Sequence, residues 1–334
     1  MVNVAIIGTG FIGNAHASAC RNSGALRLAA ICDINEEAGR MAAQEYGCAY
    51  YGDAEEMLKK EKPDIADICL PTFLHEKFVL LAAEYGINVI CEKPVTLTLE
   101  SMDRMLNATR AAGVKFMVAQ VVRFWPEYVE IKKLYDTGAF GEIKMVCASR
   151  LAQHPNWTRW HRDPKNSGGG LFDLHLHDID YLTYVFGAVK SVYAVGWKSK
   201  TGCWNHVQTS VKFKNGVNAV AEGAFDMTEK FPFTMAFRIV GETRTADFKL
   251  IAGFNLEDVG SSIREAVLYE NGGNPGRIKA DISVDAYQAE LEYFAGCVES
   301  GKPVETVPPE ASREVLRVLL AIEESLETGK VVEL

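Results

Sequence analysis

The sequence predicts an α/β protein: an N-terminal doubly wound, parallel-sheet (Rossmann) domain followed by a C-terminal α+β domain with an open, mostly antiparallel sheet. Two observations carry this. Strongly apolar strand patterns alternate with amphipathic helical patterns through the first third of the chain, the grammar of a parallel sheet covered on both faces. After about Val122 the alternation stops, and strand candidates follow one another in series.

In order, the first domain reads as a strand over residues 2–8, a helix over 11–22, a strand over 26–32 and a helix over 36–46 with Gly47 as its C-terminal cap. A short strand at 48–51 and a short helix at 54–60 follow. Then come a strand at 65–70, a helix at 75–85, a strand at 88–91, a helix at 99–112 and a strand at 115–122. In the second domain a helix follows Pro126 and a strand covers 142–150. A long polar loop, 151–167, leads into a helix at 171–186. Strands are expected at 191–198, 207–213, 217–225, 233–240 and 243–248, with "KNG" at 214–216 as a hairpin turn. Helices at 284–299 and 309–327 close the chain. The domains are expected to span 1–122 and 123–334, with the C-terminal helix free to pack back on the first domain.

The 334 residues suffice for two ordinary cores. A net charge of −9, with both signs interspersed, argues against a nucleic-acid partner. No apolar run approaches a membrane span, and the N-terminus enters a strand without signal-peptide character. Cys20, Cys32, Cys48, Cys69, Cys91, Cys147, Cys203 and Cys297 are scattered, without a C-x-x-C pair. They read as free thiols in a reducing compartment, so a cytoplasmic protein is expected.

Gly8, Gly10 and Gly13 form G-x-G-x-x-G at a strand-to-helix junction. Such glycines allow the tight turn, the approach of a pyrophosphate to the backbone, and close helix–strand packing. The helix N-terminus adds free N–H groups and the positive end of its dipole. Asp33 ends the second strand twenty residues later, where a carboxylate accepts from both ribose hydroxyls and repels a 2′-phosphate. NAD is therefore expected over NADP. The competing reading is a glycine turn with an unrelated aspartate, but here strand, motif and helix agree. Phe11 and Ile12 within the motif, Thr72 and His75 in "LPTFLH", and Glu92 complete the candidate cofactor set. For His75, a surface histidine at a helix start is the competing reading.

"CEKPV" (91–95) follows a later strand and sets Lys93 beside Pro94 in a turn, at a bond that proline allows to be cis. About eighty residues on comes "GGGLFDLHLHDID" (168–180). In a helix Asp173 and His177 share a face and His175 points away. In a strand His175 and His177 pair like metal ligands. The apolar residues Leu171, Leu174, Ile179, Leu182 and Val185 follow the helical period, and no further ligand set is evident, so no metal is expected. A polar helix whose histidine merely bonds an aspartate is the bland alternative.

Together the dinucleotide motif, "EKP" and GG-x-x-x-D-x-x-x-H-D make the sequence resemble the glucose–fructose oxidoreductase / inositol dehydrogenase / rhizopine-catabolism (Gfo/Idh/MocA) family over nearly its whole length, including "YQAELEYF" (287–294). The resemblance implies NAD(P) as cofactor and Lys93, Asp173 and His177 as catalytic residues. It implies a second domain that holds the substrate and pairs subunits through its open sheet as a homodimer or homotetramer. It also implies a substrate contact from Arg123 in "VVRFWP". The run "NWTRWHRDPKNS" (156–167) departs from the inositol-oxidising members.

The chemistry suits oxidation of a secondary alcohol. His177, with an ordinary pKa near ~6.5, is the natural base. Asp173 orients it, and the Lys93 ammonium stabilises alkoxide character; the alternative makes Lys93 the proton carrier. A sugar or cyclitol needs hydrogen-bonding forks and an aromatic wall, which Arg123, Trp157, Arg159, Trp160, His161 and Arg162 offer. Of these Arg123, Trp160 and Arg162 are the chosen candidates, against a loop whose tryptophans are buried for stability. Two further readings remain: transient oxidation that drives elimination without net redox change, and a nucleotide sensor that has lost its chemistry.

Overall fold

The computed structural model describes residues 1–154, 160–252 and 262–334, and the chain divides into two compact units. The first comprises Met1–Phe124 and Ile282–Arg313, the second Trp125–Asp281 and Glu314–Leu334.

The first unit alternates strand and helix from its start: β1 (Val2–Ile7), α1 (Phe11–Asn22), β2 (Leu26–Cys32), α2 (Glu36–Tyr46), β3 (Ala49–Tyr51), α3 (Ala54–Glu61), β4 (Ile65–Ile68), α4 (Thr72–Glu84), β5 (Asn88–Glu92), α5 (Leu99–Ala112) and β6 (Phe116–Ala119). The strands pair in parallel in the order β3-β2-β1-β4-β5-β6. The order reverses between β1 and β4, so the carboxyl ends of those strands open a crevice of the kind that holds nucleotides. Side-chain caps fix several helix starts: Asn35 on α2, Asp53 on α3 and Thr98 on α5 each accept a backbone N–H of the first turn.

α4 begins three residues earlier than the sequence implies. Pro71 ends the extended segment at φ −58° and, lacking an N–H, leaves Thr72 as the first helical residue. That shift moves His75 from the first helical position to the fourth, where its side chain is buried.

The core of this unit packs Val4, Ile6, Ile65, Ile90 and Met117 of the sheet against Ala17 and Cys20 of α1. Leu291, Phe294 and Ala295 of α9 (Ala286–Ser300) join the same cluster. The late helix therefore belongs with the first unit, and a division of the chain at residue 122 leaves it out. Its apolar face needs the α1 side of the sheet to leave water.

The second unit holds α6 (Pro126–Asp136), β7 (Ile143–Leu151), the short helix α7 (Pro164–Ser167) and α8 (Leu176–Phe186). These are followed by β8 (Val189–Lys198), β9 (Trp204–Phe213), β10 (Asn218–Ala224), β11 (Thr234–Gly241), β12 (Arg244–Ile251), β13 (Ile263–Glu270) and β14 (Gly276–Arg277). α10 (Pro309–Thr328) runs from the first unit into the second and leads to β15 (Val332–Glu333). The sheet order is β14-β13-β12-β11-β7-β10-β9-β8-β15, antiparallel throughout except for the parallel pair β7–β10. β13 adds a strand the sequence did not signal: only one of its residues is fully buried, so its hydrophobic alternation is faint.

The helix expected at 171–186 exists, but its first stretch, Leu171–His175, is π-wound before α8 continues. One face of β8 leaves Tyr193, Val195 and Trp197 exposed. Among the described residues no helix is long and apolar enough to cross a membrane.

Candidate active site

In the first unit the glycine turn has the properties a dinucleotide requires. Gly8 sits at φ +103°, open to glycine but strained for other residues. A Cβ on Gly13 would lie 2.0 Å from the Gly8 carbonyl oxygen, so only glycine lets α1 approach β1 this closely. A Cβ on Gly10 would meet nothing within 4 Å; its side of the turn faces open space, as a pyrophosphate demands.

Asp33 is oriented in advance. Its Oδ2 accepts the Thr9 N–H at 2.8 Å and the Thr9 hydroxyl at 2.6 Å, and its Oδ1 accepts the Asn35 N–H at 2.8 Å. Beside it Ile34 is almost wholly exposed, and Phe11 and Phe73 are each about half exposed at the starts of α1 and α4. Large apolar side chains left open at the ligand edge suit the flat faces of a bound base. Ile12 instead packs against the core. The buried Thr72 hydroxyl at the start of α4 and the buried Gln120 Oε1 just after β6 have no partner among the described residues. Both are polar atoms at the carboxyl edge whose hydrogen bonds remain to be made. The site thus fits NAD on its own geometry.

The Lys93 turn is held from beneath. The Lys93–Pro94 bond is cis. Glu92 is buried, and its Oε2 accepts the Lys93 backbone N–H at 2.9 Å. His75 is buried too, with Nδ1 3.1 Å from the Pro94 carbonyl and Nε2 2.7 Å from the Leu70 carbonyl. Burial pulls its pKa down despite these carbonyls. Glu92 and His75, expected at the cofactor, thus turn inward and serve the turn. Arg123, expected as a substrate contact, lies in the turn after β6. It is buried and donates from Nη1 to the Thr306 carbonyl at 2.7 Å, tying the turn after β6 to the segment that follows α9.

His16 and Asp67 went unnoticed in the sequence, and Cys69 was read there only as one of the free thiols. All three are buried, with one donor atom of each within 4.8 Å of the others. His16 Nδ1 lies 2.9 Å from Asp67 Oδ2, and the Cys69 thiol donates to Asp67 Oδ1 at 3.3 Å. Burial and Asp67 hold the thiol well above its ordinary pKa, so the trio reads as a hydrogen-bonded network. The available signal was Asp67 itself, one carboxylate inside the apolar strand "IADIC".

In the second unit the choice between the helix and strand readings of "GGGLFDLHLHDID" resolves by direction. His175 is wholly buried, its Nε2 2.9 Å from the Thr209 hydroxyl of β9, and burial pushes its pKa down to about 3. Asp178 is buried against Arg150, which donates to it from Nε and Nη2 at 3.3 and 3.1 Å. Asp173 and His177 retain a little exposure, 9 % each, on the other face. Asp173 Oδ2 lies 3.8 Å from Nε2 of His161, whose ring stacks on Trp160 at 3.8 Å. His161 is thus an unforeseen neighbour of Asp173. Arg162 is exposed, and Trp157 and Arg159 lie outside the described residues. The glycines before this helix permit close contact: Cβ atoms on Gly169 and Gly170 would meet Cys203 at 2.5 Å and the Asn205 backbone at 3.0 Å.

Comparison with known proteins finds two family models. One, described as "Oxidoreductase family, NAD-binding Rossmann fold", matches residues 2–120; the other, "GFO/IDH/MocA C-terminal domain", matches residues 128–247. The chain is 28% identical to D-glucoside 3-dehydrogenase of Escherichia coli K12, over 100% of this chain and 97% of that one. It is 27% identical to myo-inositol 2-dehydrogenase of Thermotoga maritima, over 100% and 98%. A solved structure of levoglucosan dehydrogenase with NADH shares the fold, with a TM-score of 0.84 at 23% identity and coverage of 99% and 98%.

Proposed function

The chain belongs to the GFO/IDH/MocA family of NAD-binding oxidoreductases, and from that premise we propose that it oxidises a secondary hydroxyl of a sugar, sugar derivative or cyclitol, with Lys93, Asp173 and His177 as its catalytic residues. The observation that carries this reading is the carboxyl edge of the first sheet. There the open Gly10 turn, the pre-oriented Asp33 and the unsatisfied Thr72 hydroxyl stand on the same edge as the rigidly held Lys93 turn.

NAD, when bound, supplies the hydride acceptor at nicotinamide C4. The protein does the remaining work. Asp33 selects the unphosphorylated ribose by accepting from its hydroxyls and repelling a 2′-phosphate. Thr72 and Gln120 offer polar atoms to the cofactor, and Gly8–Gly13 with the α1 N-terminus receive its pyrophosphate. His177 takes the substrate hydroxyl proton. Asp173, four residues earlier on the same face, orients the ring and stabilises the imidazolium that forms, while His161 pairs with Asp173 from the loop side. Lys93 donates to the substrate oxygen as negative charge develops there. Trp160 offers an aromatic wall to the C–H face of the ring.

The test is a panel of aldoses, glycosides and cyclitols assayed for reduced nicotinamide with NAD and NADP side by side. The best substrate is then repeated with Lys93→Met and His177→Ala. Each variant is expected to lose about 10²–10⁴-fold in kcat while NAD affinity changes little. Wild-type turnover in either variant removes that residue from the mechanism. Substrate conversion without accumulation of reduced cofactor replaces net oxidation with oxidation-driven elimination.

A further inference from the structure

We propose that His16, a residue that touches neither substrate nor cofactor, is a positioning residue for Lys93 and acts through the Glu92 carboxylate. The inference rests on Lys93 being catalytic, as above.

His16 lies on α1, three residues after the last glycine of the turn, and has no exposure at all. Its two ring nitrogens look in opposite directions. Nδ1 meets Asp67 Oδ2 on β4 at 2.9 Å; Nε2 meets Glu92 Oε1 at the end of β5 at 3.3 Å, an ion-pair contact rather than an aligned hydrogen bond. The second oxygen of Glu92 accepts the Lys93 backbone N–H at 2.9 Å. A continuous polar chain therefore runs from Asp67 through His16 and Glu92 to the amide of Lys93. Cys69 Sγ, 3.5 Å from Nδ1, and the Tyr287 ring of α9, 5.6 Å away between centroids, complete the surroundings of the imidazole.

Physical chemistry explains why such a chain belongs there. A buried carboxylate is costly without a hydrogen-bonding or positive partner, and His16 stands between Asp67 and Glu92 and meets both. Burial is the largest single influence and opposes a charge on His16, but Asp67 and Cys69 together outweigh it and hold the imidazole well above its ordinary pKa. With His16 against Oε1, the Glu92 carboxylate is held with Oε2 on the Lys93 amide. His75 clamps the next two carbonyls of the turn, those of Pro94 and Val95, from the α4 side. The turn is thus fixed on both flanks by buried histidines, and a misplacement of about 1 Å is enough to cost on the order of 10²-fold in rate.

Two substitutions separate the arms of His16. His16→Asn keeps a donor near the Nδ1 position for Asp67 and leaves nothing for Glu92. His16→Gln reaches toward Glu92 and gives up Asp67. The proposal predicts that kcat of the holoenzyme falls roughly 10–100-fold in the Asn variant, with KM for NAD within about threefold, and that the Gln variant recovers most of the loss. Glu92→Gln removes a single charge and guards against a folding failure at His16. It is expected to match the Asn variant, and the double variant should be no slower than either single one, the mark of residues acting in series. Equal losses in the Asn and Gln variants, a rise in KM for NAD in step with the loss of kcat, or additive losses in the double variant would each overturn the proposal. Lys93→Met, assayed alongside, keeps the two claims apart. If it is inert and His16→Asn is fully active, only the positioning role falls; if it retains turnover, the catalytic reading of Lys93 falls first.

Discussion

His175 and His177 are two residues apart, yet they face opposite solvents, one protein and one partly water. His175 is neutral because, among the described residues, nothing charged meets it in its buried position beside Thr209. Its pKa of about 3 in the folded chain lies below the ordinary ~6.5 of the unfolded one. The unfolded state therefore binds the proton first. Its contribution to stability is complete above ~6.5, and it is lost progressively as pH falls toward about 3, by up to ~1.4 kcal/mol per unit. His175→Gln keeps a hydrogen-bonding group near Thr209 and does not titrate. Urea unfolding of both proteins between pH 7 and pH 5 should show the wild type losing on the order of 2 kcal/mol more than the variant. Parallel curves would mean that His175 is not buried neutral. At this scale the sequence showed the right types but not their directions. Asp173 and His177 stood out by spacing, whereas nothing in the sequence signalled that Glu92, His75 and Arg123 bond carboxylate to amide, ring to carbonyl and guanidinium to carbonyl. A one-dimensional pattern does not say on which side of a turn a side chain lies.

α1 is where local sequence and packing agree most closely. The glycine motif predicted a turn, a helix and their contact, and the 2.0 Å clearance at Gly13 is the physical form of that prediction. Gly13→Ala must push the helix from β1 or open the Gly8 turn. NAD affinity, measured by isothermal titration, is expected to fall at least tenfold, with a lower melting temperature; overpacking of this kind typically costs about 1–3 kcal/mol. Unchanged affinity would show that the cradle tolerates the shift. Strong periodicity made α1, α2, α5 and α8 legible. The π-wound entry at Leu171–His175 was not, because it depends on glycines meeting Cys203 and Asn205, residues distant in sequence. π-turns of this kind recur at functional sites, and this one carries Asp173.

The chain as a whole is not a simple succession of domains. Residues Ile282–Arg313 return to the first unit, where α9 completes the core and Arg313 pairs with Asp103 through two hydrogen bonds of 2.6 and 2.9 Å. A fragment ending at Phe124 leaves the α9-facing side of that core in water and is expected to aggregate or melt without cooperativity. Residues 1–124 joined to 282–313 by a flexible linker should melt cooperatively and bind NAD, as followed by circular dichroism and titration. A cooperative melt of the shorter fragment would show that α9 is dispensable.

What the sequence determined by itself was local and periodic: the strand–helix alternation, the glycine turn with Asp33, the change of grammar after Val122, and the helical spacing of Asp173 and His177. These are readable because backbone geometry repeats every two or 3.6 residues and because glycine alone tolerates certain contacts. The tertiary structure decided the rest: the return of α9, the strand β13, the inward turn of Glu92, His75 and Arg123, and the His16–Asp67–Glu92 chain. Each of these depends on which distant residue arrives to meet a buried charge or an exposed apolar face, and burial, unlike periodicity, is set only when the whole chain has packed.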